Sequence, residues 1–393
     1  MPFSARFIVS LAAALVCCLA VIDPTRAAET MVRAIHPPDG GIHPQVQTDS
    51  RGRAHLIYFK GDPRHGDIYY VRSDDGGGTF SRPIRVNSQP QSVVIIGTIR
   101  GPHIAIGAGD RPHVAWMGSD KAEPKANGKQ TPKLYARLND AGDGFEPQRN
   151  VIVNHPGLDG GGSVAADHAG NVYVAWHAPD RGDAEEDRQV WITRSRDDGK
   201  TFEPEHAAIP EKTGVCGCCG LNIIARDDGR VVIVFRSATE MVHRDIHVLT
   251  SKDFGQTFAI AAVDPWNIGK CVMSTAALAL RVDHVLVAWE TKEQVQLASF
   301  GDVPSASPRP REPAGMPGRA KDRKHPSIAV ANGYYVVAWT EGTGWNKGGA
   351  VAWQVFDAHD QPIKGQAGRV NGLEPWSLPA VFAAPDGMFT IVY

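Results

Sequence analysis

Residues 162–176 read GSVAADHAGNVYVAW. Small and apolar residues fill 162–166, a polar turn containing Gly170 follows, and Val172, Val174 and Trp176 then alternate with Tyr173 and Ala175. Period-two patterning with β-branched residues on both sides of a glycine turn is the mark of a β-hairpin. The pattern recurs along the whole chain as HPQVQTDSRGRAHLIYF (43–59), PHIAIGAGDRPHVAW (102–116), LNIIARDDGRVVIVF (221–235), TAALALRVDHVLVAW (275–289), PSIAVANGYYVVAW (326–339) and PAVFAAPDGMFTIVY (379–393). Seven copies recur at intervals of roughly 50–60 residues. Past the N-terminal apolar run no stretch sustains a 3.6-residue period, which excludes an α/β organisation.

A second motif follows several of these hairpins: DIYYVRSDDGGGTF (67–80), QVWITRSRDDGKTF (189–202), DIHVLTSKDFGQTF (245–258) and a worn copy, KLYARLNDAGDGF (133–145). Its core is Ser-x-Asp-x-Gly-x-Thr-Phe. Asp75, Asp197 and Asp253 can accept backbone N–H groups across a tight loop. Gly77, Gly199 and Gly255 can take positive φ without steric cost. The motif therefore reads as the turn between the third and fourth strands of a four-stranded unit. Such units, repeated at this spacing, predict an all-β fold: a β-propeller of four-stranded blades filling residues 28–393 as a single domain. Seven blades are expected and six are the alternative, with residues 30–35 (TMVRAI) supplying a strand that closes the ring.

The four turns, at 73–80, 195–202, 251–258 and 138–145, resemble the Asp-boxes (BNR repeats) of the sialidase superfamily. That resemblance implies a sialidase-like propeller. The family's activity would imply glycoside hydrolysis of sialidase type on an anionic glycan, using an arginine triad, a Tyr nucleophile with a Glu partner, and an Asp acid/base. One departure stands out: GGIHPQV (40–46) occupies the place of the family's first Arg-Ile-Pro arginine.

The N-terminus, MPFSARFIVSLAAALVCCLAVIDPTRAAET, has the form of an export signal. Arg6 precedes a short apolar run, and Thr25 and Ala27 form a small-residue cleavage site. Cleavage after Ala27 is expected, with an uncleaved anchor as the alternative. The run is shorter than the roughly 20 residues a membrane helix needs. The mature chain is thus expected to be secreted or periplasmic, monomeric, and without an integral span. With a net charge of −2, the protein has no basic footprint for nucleic acid.

Strand order places the candidates. With strands A to D counted from the axis outward, A–B and C–D turns share one face, and D–A and B–C connections share the other. The Asp-box turns belong to the first face and are structural. Near the channel on the second face stand His43, Arg100, Asp159, the stretch GVCGCCGLN (214–222), Cys271, Met273, His325 and Trp376. B-strand ends and C-strand starts add His177, Arg188, Arg236, Arg244, Glu290 and Glu341, with Trp345 just beyond. Glu290, Glu341, Asp159 and His177 are the acid/base candidates, because a glycosidase needs two carboxyl groups flanking the scissile bond. His43, Arg100, Arg188, Arg236, Arg244, His325 and Trp345 are the substrate-binding candidates: arginine clamps carboxylates bidentately and tryptophan stacks on sugar faces. For Arg244 an ion pair with Asp245 or Glu240 is the bland reading. Trp116, Trp176, Trp289 and Trp339 are expected in the core.

Cys216, Cys218, Cys219 and Cys271 fall at the entrances of neighbouring blades and should cluster. In an exported chain an even count favours disulfides, Cys271 to the 216–219 group and a local pair beside it. A soft-metal site for Cu or Zn, with Met273 and His325 or His43 as further ligands, is the second reading. A reactive thiol is the third.

Overall fold

The structure is a computed structural model that describes Met1 and residues 30–128, 130–282, 284–301 and 321–393. Apart from Met1, the export signal read over residues 1–27 lies outside the described residues. The strands form seven separate sheets, antiparallel throughout except for one parallel pairing in the last. Blade 1 is built from Ile42–Thr48, Ala54–Asp62, His65–Ser73 and Ile84–Arg85, paired in that order. The A strands of blades 2 to 7 are His103–Ile106, Gly162–Ala166, Asn222–Ala225, Ala277–Leu280, Lys324–Ala331 and Ala380–Ala383. Each packs beside the next, and the last packs beside the first. Helix is confined to three short 3-10 turns among the described residues.

Why the chain makes wedges is visible in the opening hairpin. Val172 to Trp176 are all fully buried, because each face of the sheet is covered by a neighbouring blade. Val172, Val174 and Trp176 pack toward Ala105, Ala115 and Tyr135 of blade 2. Tyr173 and Ala175 pack toward Ile223, Ile233 and Phe235 of blade 4. Alternate side chains thus serve alternate interfaces, and burying each large one contributes about 1.5–3 kcal/mol. Trp116, Trp176, Trp289 and Trp339 are fully buried, as expected.

The ring closes with Val32–Ile35, which pairs in parallel with Phe389–Val392 of blade 7. The two ends of the chain therefore share one sheet, and the blade count is seven.

The C–D loops hold their predicted geometry. Asp75 accepts from Ser73 Oγ at 2.8 Å, Thr79 N at 2.9 Å and Thr79 Oγ1 at 2.8 Å, and Gly77, at φ 95°, donates to Ser73 Oγ at 2.7 Å. The same bonds recur around Asp197 and Asp253. Asp198 N donates to Gly170 O and Phe254 N to Gly229 O, which ties these loops to the A–B turns on one face.

Candidate functional site

The opposite face carries the candidate site residues. The A strands enclose an axial channel of about 490 Å³ whose lining includes His43, Thr98, His103, Asn222, Thr275 and Ser327. Over this end lies the connection from blade 1 to blade 2. Thr98 reaches the channel, and a Cβ built on Gly160 would fall 2.6 Å from Ile99 Cδ1. A Cβ on Gly220 would lie 3.8 Å from Ile99 O, so this connection crosses toward blades 3 and 4.

Three imidazoles sit at the channel end. His43 adopts φ 54° and its Nδ1 lies 2.9 Å from Trp376 O. A carbonyl can only accept, so Nδ1 carries the proton and Nε2 is the bare nitrogen. His103 Nδ1 lies 3.2 Å from Ser163 Oγ, and His325 Nδ1 lies 3.4 Å from Thr275 Oγ1. Burial pushes the His43 pKa down to about 4 and that of His325 to about 3, so both rings are neutral at pH 7. Beside them Lys133 is fully buried and pushed down to about 7 by that burial.

Six of the predicted residues join into one network. Asp159 receives Arg100 Nη2 at 3.4 Å and Arg188 Nη2 at 2.8 Å. Arg188 also pairs with Glu185 at 3.4 Å, and Glu185 receives Arg244 at 2.5 Å. Arg236 donates to Arg244 O at 2.8 Å and to Glu290 O, with its guanidinium 3.7 Å from the Glu290 carboxylate. The partner of Arg244 is therefore Glu185, neither Asp245 nor Glu240. Burial raises the pKa of Glu290. Glu341 stands apart from this network, held by Arg323 at 3.3 Å, Arg369 at 2.9 Å and Trp339 Nε1 at 3.1 Å. His177 is fully buried, and burial pushes it down to about 4.

The network wraps the cysteine loop. Cys216 N donates to Arg236 O, Gly217 N to Glu185 Oε1 and Gly220 N to Ser274 O, pinning residues 216–220 between blades 3, 4 and 5. A Cβ on Gly217 would meet Arg188 Nη1 at 2.2 Å and Asp159 Oδ2 at 2.6 Å, so a side chain there would have to displace the Arg188–Asp159 ion pair. Cys216 Sγ lies 3.4 Å from Cys218 Sγ and 3.3 Å from Cys219 Sγ. Cys271 reaches Cys218 from blade 5, and the Met273 backbone donates to Cys218. The structure holds these four cysteines as free thiols, with no S–S bond among them. Hydrogen bonding to Cys216 pulls the Cys218 pKa down, and the reciprocal bonds push Cys216 up. Burial raises Cys219 to about 12 and Cys271 to about 11. His43 lines the channel and His325 reaches Thr275 of its wall; among the described residues the sulfur cluster gathers Cys216, Cys218 and Cys219 alone within 4.8 Å.

Sequence reasoning missed Glu185, Arg323 and Arg369 as partners. Glu185 lies in the B–C connection of blade 3, on the face already singled out, and Ala184-Glu185-Glu186-Asp187 was the signal available.

No family model and no curated relative matches the sequence. Solved structures do. An α-L-arabinanase from Penicillium chrysogenum superposes with a TM-score of 0.52 at 13% identity, covering 82% of this chain and 95% of that one. An α-L-arabinofuranosidase from Fusarium graminearum gives 0.52 at 10% identity over 81% and 94%. A Hadza microbial sialidase gives 0.50 at 12% identity over 81% and 69%. At these identities it is the fold that is shared: the chain is a β-propeller of seven blades, the architecture of these glycan-active enzymes.

Proposed function

We propose that this protein is an exported propeller that binds a glycan, or another anionic small ligand, on the face bearing the D–A and B–C connections, without hydrolysing it. The observation that carries this is the surroundings of Gly97. A Cβ there would meet Arg100 Nη1 at 2.8 Å and Trp345 Cζ3 at 3.5 Å, so a guanidinium and an indole flank one backbone position. Trp345 is 60% exposed and packs edge-on against Trp376 at 4.9 Å. Three of the five N–H donors of Arg100 are occupied by Asp159 and Ile96, leaving two for a ligand. An aromatic plate beside a guanidinium suits a sugar carrying a carboxylate or sulfate. The sialidase, arabinanase and arabinofuranosidase that share the fold support a glycan as the ligand, without bearing on its charge.

Binding is favoured over hydrolysis because each candidate carboxylate is paired with arginine: Asp159 with two, Glu341 with two, Glu290 with Arg236. A glycosidase needs two carboxyl groups free to flank the scissile bond, and here all three are engaged by guanidinium groups. The test is calorimetry with sialyl and uronyl oligosaccharides, alongside hydrolysis of the matching aryl glycosides. Binding that falls at least about tenfold in Trp345→Ala, with no turnover, is the expected result. Turnover abolished by Asp159→Asn or Glu341→Gln would replace this reading with the glycosidase one.

A further inference from the structure

We propose that Cys216, Cys218 and Cys219 form a three-thiolate site for a single Cu(I) ion, independent of the glycan face. Their sulfurs lie within 4.8 Å of one another, the closest pairs at 3.3 and 3.4 Å. That is far beyond the roughly 2.05 Å of an S–S bond. It approaches the separation of about 4.0 Å between three thiolates sharing one ion in a plane at metal–sulfur distances of roughly 2.3 Å. The ligand set is soft throughout, which selects monovalent copper or zinc over harder ions. Three sulfurs facing each other, with Cys271 reaching only Cys218, favour the three-coordinate habit of Cu(I) over tetrahedral zinc.

The surroundings match the charge this site would carry. Binding releases three thiol protons, so three thiolates and one Cu(I) leave a net charge of −2 with no change of oxidation state. Two buried guanidinium groups supply positive charge near the cluster: Arg236, whose carbonyl accepts from Cys216 N, and Arg244, whose carbonyl accepts from Arg236. Arg244 is 4% exposed, and its Nε is buried without a hydrogen-bond partner among the described residues. A buried donor left unpaired costs about 1–3 kcal/mol, and an anionic cluster beside it would relieve that cost. Arg236 in turn lies over Trp266, at 5.2 Å from the ring centre. Trp266, Ile268 and Val272 pack over the sulfurs and screen them from water and oxidants.

The experiment uses the full exported chain, purified without oxygen and titrated with Cu(I) against a chromophoric Cu(I) chelator. One copper per chain is expected, with an absorption-edge spectrum showing sulfur as the only ligand type. Cys218 is half-buried and outside the blade cores, so Cys218→Ser should fold; it should bind copper more than about 100-fold more weakly. Cys271→Ser should change affinity less than about tenfold. An equal loss in Cys271→Ser, stoichiometric zinc binding in place of copper, or no titratable thiols in freshly isolated protein would each overturn the proposal. Should Cys218→Ser fail to fold, stoichiometry and sulfur-only ligation in the native chain still decide it.

Discussion

His43 is buried to 1% exposure, folds at φ 54° with Nδ1 against Trp376 O, and has its pKa held at about 4 by that burial. In the unfolded chain the same imidazole titrates near 6.5. A depressed folded pKa means stability that is complete above about pH 6.5 and is lost as pH falls toward 4. At pH 5 the unfolded ring is almost wholly protonated and the folded ring almost wholly neutral. Linkage makes that difference about 1.5 powers of ten in proton affinity, or about 2 kcal/mol relative to pH 8. His177 and His325, equally buried and held at about 4 and about 3, each add about 2 kcal/mol. Together these approach the whole stability of an ordinary domain, about 5–15 kcal/mol. The test is His43→Asn, since asparagine tolerates left-handed backbone and does not titrate. Equilibrium urea unfolding of both proteins at pH 8 and pH 5 isolates the effect, because each protein's own pH 8 value absorbs the packing change. The wild type should lose about 2 kcal/mol more than the variant on acidification. Equal losses in the two proteins would refute the assignment of His43 as a ring forced neutral by burial.

Two further outcomes follow from the packing. Asp253→Ala removes the acceptor of Ser251 Oγ, Thr257 N and Thr257 Oγ1, and should lower stability by about 2–3 kcal/mol in urea unfolding. It should leave ligand titrations unchanged, because the turn lies on the far face. In Gly101→Ala the new Cβ would fall 1.8 Å from His43 Nε2. The ring must move, so a loss of about 1–3 kcal/mol is expected, together with a His43 proton resonance that titrates at higher pH.

Much of the architecture is legible in residues 162–176 and their six counterparts. Alternation carries that information because each blade is covered on both faces, so Val174 and Tyr173 must both be apolar while serving different neighbours. The loop residues are equally local: Ser251, Asp253, Gly255 and Thr257 satisfy one another within a single turn. Strand order then predicts which loops share a face, and hence that Cys271 meets Cys218 across blades. Partners within that face were not legible. Arg244 lies beside Asp245 and near Glu240 in sequence, yet its carboxylate is Glu185 of another blade.

What the amino-acid order determined was therefore everything set by spacing and period: hairpins, turns, ring closure by Val32–Ile35, and the convergence of thiols and charges at one end. Only the tertiary structure decided which charge neutralises which, that the candidate carboxylates are paired with arginine, and that His43 and His325 are neutral and separate from the sulfurs. The physical reason is range. Backbone pairing and alternation act over a few neighbouring residues, whereas burial and ion pairing depend on side chains that meet from loops 29 to more than 300 positions apart.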